Sequence, residues 1–450
     1  MEKITNLVGV FILFSILALS SIPIASAQGY TVTELWSNPM TVNDVAVSAD
    51  GNYVVAVNDT GVYFFSRDSS QPRWWYTGDG GYFESVAISA NGEYVVAGYT
   101  NTSNFGFLYY FKDSTTTFNG RGYTWKSVSY PAAIDSPRLV AISDNGTFVV
   151  AAANNGTGKY TFLKYFNDST VRFGSSETET WNLWTLGALA SSLDISADGN
   201  YVAEGGSDPP PPTGWVSFFK DSSTNPQGWV NDNLLPITDV ALSDDGYAVA
   251  AVSPITPDTL YYWKDAKNLP SDSPANWTNL LGYGCVDMSS DGDKVVAGTP
   301  MIFVCGVHLW DAARTRTGTN ETESWNRFAG QWIPDIAISR DGMIIAATAV
   351  NVTDDLGSWT YFLTSSGGLI GQFPTDGAGM VVSTSADGGT TAVATSSLRF
   401  TTVYVYGITR MAAVGGEILG LNELELLTPY LAMVLLLAGT TVILLKRRKL

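Results

Sequence analysis

Short apolar runs recur in pairs along this chain, and a polar tetrapeptide, Ser-x-[Asp/Asn]-Gly, stands between the members of each pair. Val86-Ala87-Ile88 precedes the copy ending at Gly92, and Tyr94-Val95-Val96-Ala97 follows it. The eight copies end at Gly51, Gly92, Gly146, Gly199, Gly246, Gly292, Gly342 and Gly388, at intervals of 41 to 54 residues. Asp or Asn bonds its own backbone and Gly accepts positive φ, so each copy predicts a tight hairpin between two β-strands. Six residues before each turn glycine the side chain is bulky, from Val45 and Val86 to Ile336 and Val382. The next position is small (Ala46, Ala87, Ala141, Ala241, Ala337, Ser383), except that Asp194 and Asp287 break the rule. Such regularity at this period predicts a repeat architecture.

Each unit carries four strand candidates, in the second unit 85–88, 94–98, 106–111 and 123–127. The third strand ends in an Asp followed by a small residue, at Asp68, Asp113, Asp168, Asp221, Asp265 and Asp311. This recurrence reads as a turn device in which Asp bonds the backbone that follows it. The fourth strand carries Trp74, Trp125, Trp181, Trp229, Trp277 or Trp325, expected to lock neighbouring units together. Four antiparallel strands per repeat make the blade of a β-propeller. The eighth unit supplies only three strands, while a spare Trp-bearing strand, 31–36, stands before the first turn. The expected fold is therefore all-β, an eight-bladed propeller closed by its N-terminal strand, with a seven-bladed ring as the alternative.

The eight turns and the aromatic-x-Asp strand ends, with Trp310-Asp311 nearest to a WD dipeptide, span residues 30–409. In these features the chain resembles WD40-like and quinoprotein-like propellers, and in particular the propeller domains of archaeal cell-surface proteins. That resemblance implies a binding scaffold that displays loops.

Composition narrows the classes. A net charge of −18 argues against a surface that tracks nucleic-acid phosphates. Residues 1–27 read as a signal peptide, with Lys3, an apolar stretch over 7–24 and Ala25-Ser26-Ala27 as a cleavage site. Residues 28–410 form the expected ectodomain and 411–425 a short stalk. The uncharged stretch 426–445 is long enough for one transmembrane helix. Lys446-Arg447-Arg448-Lys449 follows it, which places the tail 446–450 in the cytoplasm and the propeller outside.

Little in the chain looks catalytic. Asp194 and Asp287, with Asp44, Asp239 and Asp335 at the starts of inner strands, are the candidates for an axial site. They have two readings: caps on backbone N–H groups, or a cation site, with Ca²⁺ the candidate ion. His308, the one histidine, falls in a third strand and reads as a packed side chain; no H-E-x-x-H, phosphate loop or C-x-x-C occurs. Cys285 and Cys305 fall two strands apart in one unit, about 9–10 Å in a flat sheet, so a disulfide requires a loop that bends inward. Export favours the bridge and strand spacing opposes it.

Sequons at Asn58, Asn101, Asn145, Asn155, Asn167, Asn276, Asn320 and Asn351 mark candidate glycan sites. Trp74-Trp75 and the pair Trp181 and Trp184 are candidates for sugar stacking. The loops that differ most between units are 115–122, 173–179, 205–214, 315–323 and 351–357. The functional expectation is a membrane-anchored scaffold outside the cell, contacting a protein, glycan or envelope partner and needing no cofactor. The alternative is an enzyme with a quinone-dependent, Ca²⁺-dependent or carboxylate-based site at the axis.

Overall fold

The computed structural model describes residues 29–410 except 117–121, 131–133, 156–159, 187–188, 209–212, 221–227, 256–258, 301–305, 329–330, 352–357 and 397–400. The expected signal peptide, stalk, membrane span and tail lie outside the described residues, as does Cys305. Among the described residues no helix is long and apolar enough to cross a membrane.

Thr31–Thr409 forms one compact unit of eight sheets, each led by one of the predicted hairpins. Blade 1 runs Asp44–Val47, Tyr53–Val57, Gly61–Ser66 and Pro72–Thr77, inner to outer, and the other blades repeat this order. The inner strand of each blade touches that of the next, and Ala378–Thr384 of blade 8 touches Asp44–Val47 of blade 1. The ring therefore closes with eight blades rather than seven. The N-terminal strand Tyr30–Pro39 pairs beside Thr402–Arg410 as the outer strand of blade 8. This is the predicted closure, and it removes the open edge that an unfinished blade would expose.

Three layers of bonds stitch the blades. The first is at the turns. Ser48 Oγ donates to Asp50 Oδ1 at 2.6 Å and accepts the Tyr53 N–H at 3.1 Å, while Gly51 takes a φ of 70°. The residue after each turn serine then joins a backbone circle: Ala90 N–H to Asp144 O, Asp144 N–H to Ala197 O, Ala197 N–H to Asp244 O, and on to Ala386 N–H to Ala49 O at 2.9 Å.

The second layer is aromatic. Trp125 stacks on Tyr110 of its own blade at 5.0 Å, tilts against Phe166 of the next at 5.2 Å, and donates its indole N–H to Ser169 O at 2.9 Å. Trp36, Trp74, Trp229, Trp277 and Trp325 each donate likewise to the following blade. The Trp181 indole N–H has no hydrogen-bond partner among the described residues. The third layer consists of the inner-strand carboxylates taken up below.

Two expectations are corrected. Neither Asp168 nor Asp265 caps a backbone N–H of the short helical turn it precedes, and Asp265 Oδ1 accepts only the Asn268 side-chain amide, at 2.7 Å; they are there because the backbone is left-handed, with φ of 54° and 59°. Ala312 adopts φ of 56° at the same position without any carboxylate. Asp tolerates this region better than most residues, which accounts for its recurrence. Second, the expected loops 173–179 and 315–323 are not free loops but arms laid over the preceding blade. Gly174–Glu177 pairs parallel to Trp125–Ser127 as a fifth strand of blade 2. Gly318 bridges Trp277 of blade 5 in the same way.

The arms share one motif, Arg-x-Gly-x-x-Glu-Thr-Glu-[Thr/Ser]-Trp, at 172–181 and 316–325. Arg172 donates to Asn167 O, Thr178 O and Thr180 Oγ1, and Arg316 to Asp311 O, Thr322 O and Ser324 Oγ. Each arm also covers a buried basic side chain: Lys164 Nζ lies 3.3 Å from Glu179 Oε2, and His308 Nδ1 lies 3.7 Å from Glu323 Oε1. His308 is thus packed, as expected, between Glu323 and the rings of Tyr283 and Trp310.

Candidate functional site

Successive strands alternate in direction, so the loops alternate between two faces of the ring. The turn face carries the eight Ser-x-[Asp/Asn]-Gly turns. The opposite face carries the loops that enter each inner strand and those that join second to third strands.

The five candidate carboxylates all face the axis and all bond in one way. Asp194 Oδ1 accepts the N–H of Ile195, the residue after it, and its Oδ2 accepts the N–H of Leu242 in the next blade, both at 2.8 Å. Asp44 bridges Val45 to Val86, Asp239 bridges Val240 to Val286, Asp287 bridges Met288 to Ile338, and Asp335 bridges Ile336 to Val382. Ser383 serves the same end at the seam, accepting the Val47 N–H at 3.1 Å.

Loss of water lifts Asp44, Asp194 and Asp287 to about 7 and Asp239 to about 6, against the opposing pull of the N–H donors. Burial also raises Asp335, with Asp239 and Asp287 adding negative charge nearby. Among the described residues no group of three or more His, Cys, Asp or Glu is arranged to hold a metal ion. Every candidate carboxylate thus has both oxygens engaged by backbone, and its observed work is to tie blade to blade.

The axis holds a feature that the sequence reading missed. On the turn face, Arg340 of blade 7 reaches across to blade 3, where its two Nη atoms bond both carboxylate oxygens of Asp144. Asp244 of blade 5 lies 3.5 Å from the same guanidinium. All three occupy the variable position of the turn motif, and a lone Arg among four alanines, two aspartates and a serine was the available signal. Glu204 was also missed. It is 1% exposed, its Oε1 has no hydrogen-bond partner among the described residues, and burial lifts it to about 8. The other blades have Ala or Val at this register, for example Ala97, Ala251 and Val393.

The opposite face opens into a cleft of about 790 Å³ over blades 1 to 3, lined by Asn43, Asp59, Gly80, Tyr82, Glu84 and Arg138 among others. Asn43 Nδ2 donates to Asp59 Oδ1 at 3.0 Å and to Phe83 O at 2.7 Å, fixing that wall. Glu84 Oε2 lies 3.4 Å from Arg138 Nε as an ion pair, while the arginine side chain remains 59% exposed. The cleft lies within the range of small-molecule and peptide sites.

The remaining candidates are scattered. Asn58 is buried and its Oδ1 accepts the N–H groups of Thr60 and Gly61. Asn101, Asn145, Asn167 and Asn276 accept loop or turn bonds, and Asn155 and Asn351 end the strands Val149–Asn155 and Ile344–Asn351. Asn320 is exposed on the blade 6 arm. Trp74 and Trp181 are buried between blades, whereas Trp75 is 43% exposed. Cys285 is buried at the start of its inner strand, its thiol directed at the Ile333 carbonyl at 3.6 Å; the second member of the expected pair is outside the described residues.

No family model matches the chain, and no curated protein matches it in sequence. Solved structures do match in fold. The C-terminal WD40 domain of Sif2 superposes with a TM-score of 0.60 at 13% identity, over 83% of this chain and 98% of that one. The Dos1 propeller does so with a TM-score of 0.59 at 12% identity, over 84% and 95%. The chain shares the β-propeller fold of WD40 domains.

Proposed function

We propose that this protein is a non-catalytic binding scaffold, exported and held at the cell surface by its C-terminal apolar segment, which docks a protein partner on the cleft-bearing face of the ring. One observation carries the reading. The polar groups of the axis and turns are consumed in holding blades together, while the opposite face keeps an open cleft with an exposed guanidinium. A propeller fold is the usual platform for such docking, but fold alone does not assign function, so the cleft bears the argument.

The decisive experiment is affinity capture from the native envelope fraction with wild-type protein and with Asp59→Trp, which fills the cleft from an exposed position. The expected result is an envelope protein retained by the wild type and lost by the variant. Retention by both forms removes the cleft from the function. The anchor is checked separately. In sealed vesicles, external protease should digest the propeller and leave the basic tail protected. A large rise in melting temperature with Ca²⁺ or pyrroloquinoline quinone would favour the axial enzyme instead.

A further inference from the structure

We propose that Val171 and Phe173, at the start of the blade 3 arm, rest in the surface of the bilayer that holds the chain, so that the turn face lies toward the membrane and the cleft faces away from it. This rests on the anchor reading above, and it names how the ring sits on that anchor.

The two arms can be compared within one chain. Ser169–Val171 and Ala313–Thr315 form the same short helical turn, followed by Arg172 at φ −76° and ψ 148° and by Arg316 at φ −74° and ψ 152°. Gly174 and Gly318 come next but one, at φ of 119° and 116°. One backbone shape is thus used twice, yet Val171 and Phe173 stand where the other arm has Thr315 and Thr317. All four side chains are exposed, so the arm folds without apolar residues at these positions. Val171 at 68% and Phe173 at 67% are the most exposed large apolar side chains among the described residues. Folding does not account for them, and such a pair marks contact with a partner or a membrane.

Topology and local charge favour the membrane. The arm follows a third strand, and the Ser169 N–H donates to Thr147 O beside the hairpin turn, which sets the pair at the rim of the turn face. Thr402–Arg410, the third strand of blade 8, runs the same way, with the Ile408 N–H donating to Gly389 O beside its own turn. The chain therefore leaves the ring on the turn face, in the direction of the apolar stretch 426–445. Tyr247 and Met343, each the residue after a turn glycine, are exposed on this face too. Residues 169–176 hold Arg172 and no acid, and Lys112 Nζ donates to Thr170 O at 3.3 Å, a setting that suits headgroup phosphates. The cleft of the other face sets Asp59 and Glu84 against Arg138, and a layer of phosphates would repel that excess. A tether keeps bilayer and arm together, so insertion of two side chains suffices without independent membrane affinity.

The test uses the full chain in phosphatidylcholine vesicles that carry a photoreactive group near the glycerol end of the acyl chains. Labelled peptides are mapped by mass spectrometry in the wild type, in Val171→Thr with Phe173→Thr, and in Leu280→Thr, which removes an exposed apolar side chain from the opposite face. The double variant copies the other arm and should melt with the wild type, which checks folding independently. The expected result is lipid attached within 169–176, reduced about 10-fold or more in the double variant, as for losing a buried phenyl ring, and unchanged in Leu280→Thr. Lipid on 426–445 with none within 169–176, or labelling of the arm unchanged in the double variant, overturns the placement and leaves the anchor standing. Lipid on neither segment removes the anchor itself, and the placement falls with it.

Discussion

Asp287 stands in a register where most blades carry alanine, and its side chain holds two backbone N–H groups, those of Met288 and Ile338. Asp287→Ala strands both donors beside the axis and should cost about 2–4 kcal/mol, read from urea unfolding; Asp287→Asn keeps an acceptor and should cost less. Glu204 is the opposite case, a buried carboxyl whose Oε1 nothing described satisfies. In the fold burial makes it keep its proton up to about 8, against an ordinary value of 4.5. Between those pH values the folded state binds the extra proton, so stability falls as pH rises, at up to about 1.4 kcal/mol per pH unit. Glu204→Ala should accordingly stabilise the protein at pH 8, with the gain shrinking toward pH 4.5; a gain independent of pH would refute this ionisation. The sequence marked Asp194 and Asp287 as exceptions because they break an alanine register. It did not say that each oxygen reaches a different blade, because that acceptor geometry arises only when the inner strands are laid side by side.

At the scale of the element, the arms of blades 3 and 6 show how one local solution is used twice. The same arginine, glycine and glutamates cover Lys164 in one and His308 in the other. Burial lowers the pKa of Lys164, and Glu179 pulls it back up. Removing one member of a buried pair leaves an uncompensated charge, so Lys164→Met should destabilise by about 3–5 kcal/mol. The double variant Lys164→Met with Glu179→Gln should recover much of that loss, and a thermodynamic cycle measures the coupling. On the other arm, burial works to raise Glu323, but the bonds and charge of Asn326 and His308 outweigh it and hold it below the usual carboxylate value. The repeated motif was legible in the sequence at 172–181 and 316–325, yet it read as two variable loops. A parallel pairing with the preceding blade is non-local and leaves no period in the arm itself.

The whole ring depends on its seam. Trp36 packs on Phe65 of blade 1 at 5.2 Å and donates to Arg67 O at 2.6 Å, and Thr390 Oγ1 donates to Gly51 O at 2.8 Å. Trp36→Ala should cost about 3–5 kcal/mol, as for other buried large-to-small changes, and deleting 29–39 should unseal blade 8 and raise dye binding to exposed apolar surface. Arg340 adds a tie across the turn-face mouth to Asp144, but both are about one-third exposed and the pair should matter little to stability. By itself the sequence determined the eight repeat units, the hairpin turns and the tryptophan positions and pointed to the strand that closes the ring, because these follow from local turn chemistry and a repeating apolar pattern; that the ring holds eight blades and not seven was decided by the contact of blade 8 with blade 1. Only the tertiary structure decided where the carboxylates point, that Arg340 meets Asp144 across the axis, and that Arg138 meets Glu84 in the cleft of the opposite face. Those facts join residues of different blades, and such distances come into being only when the ring has closed.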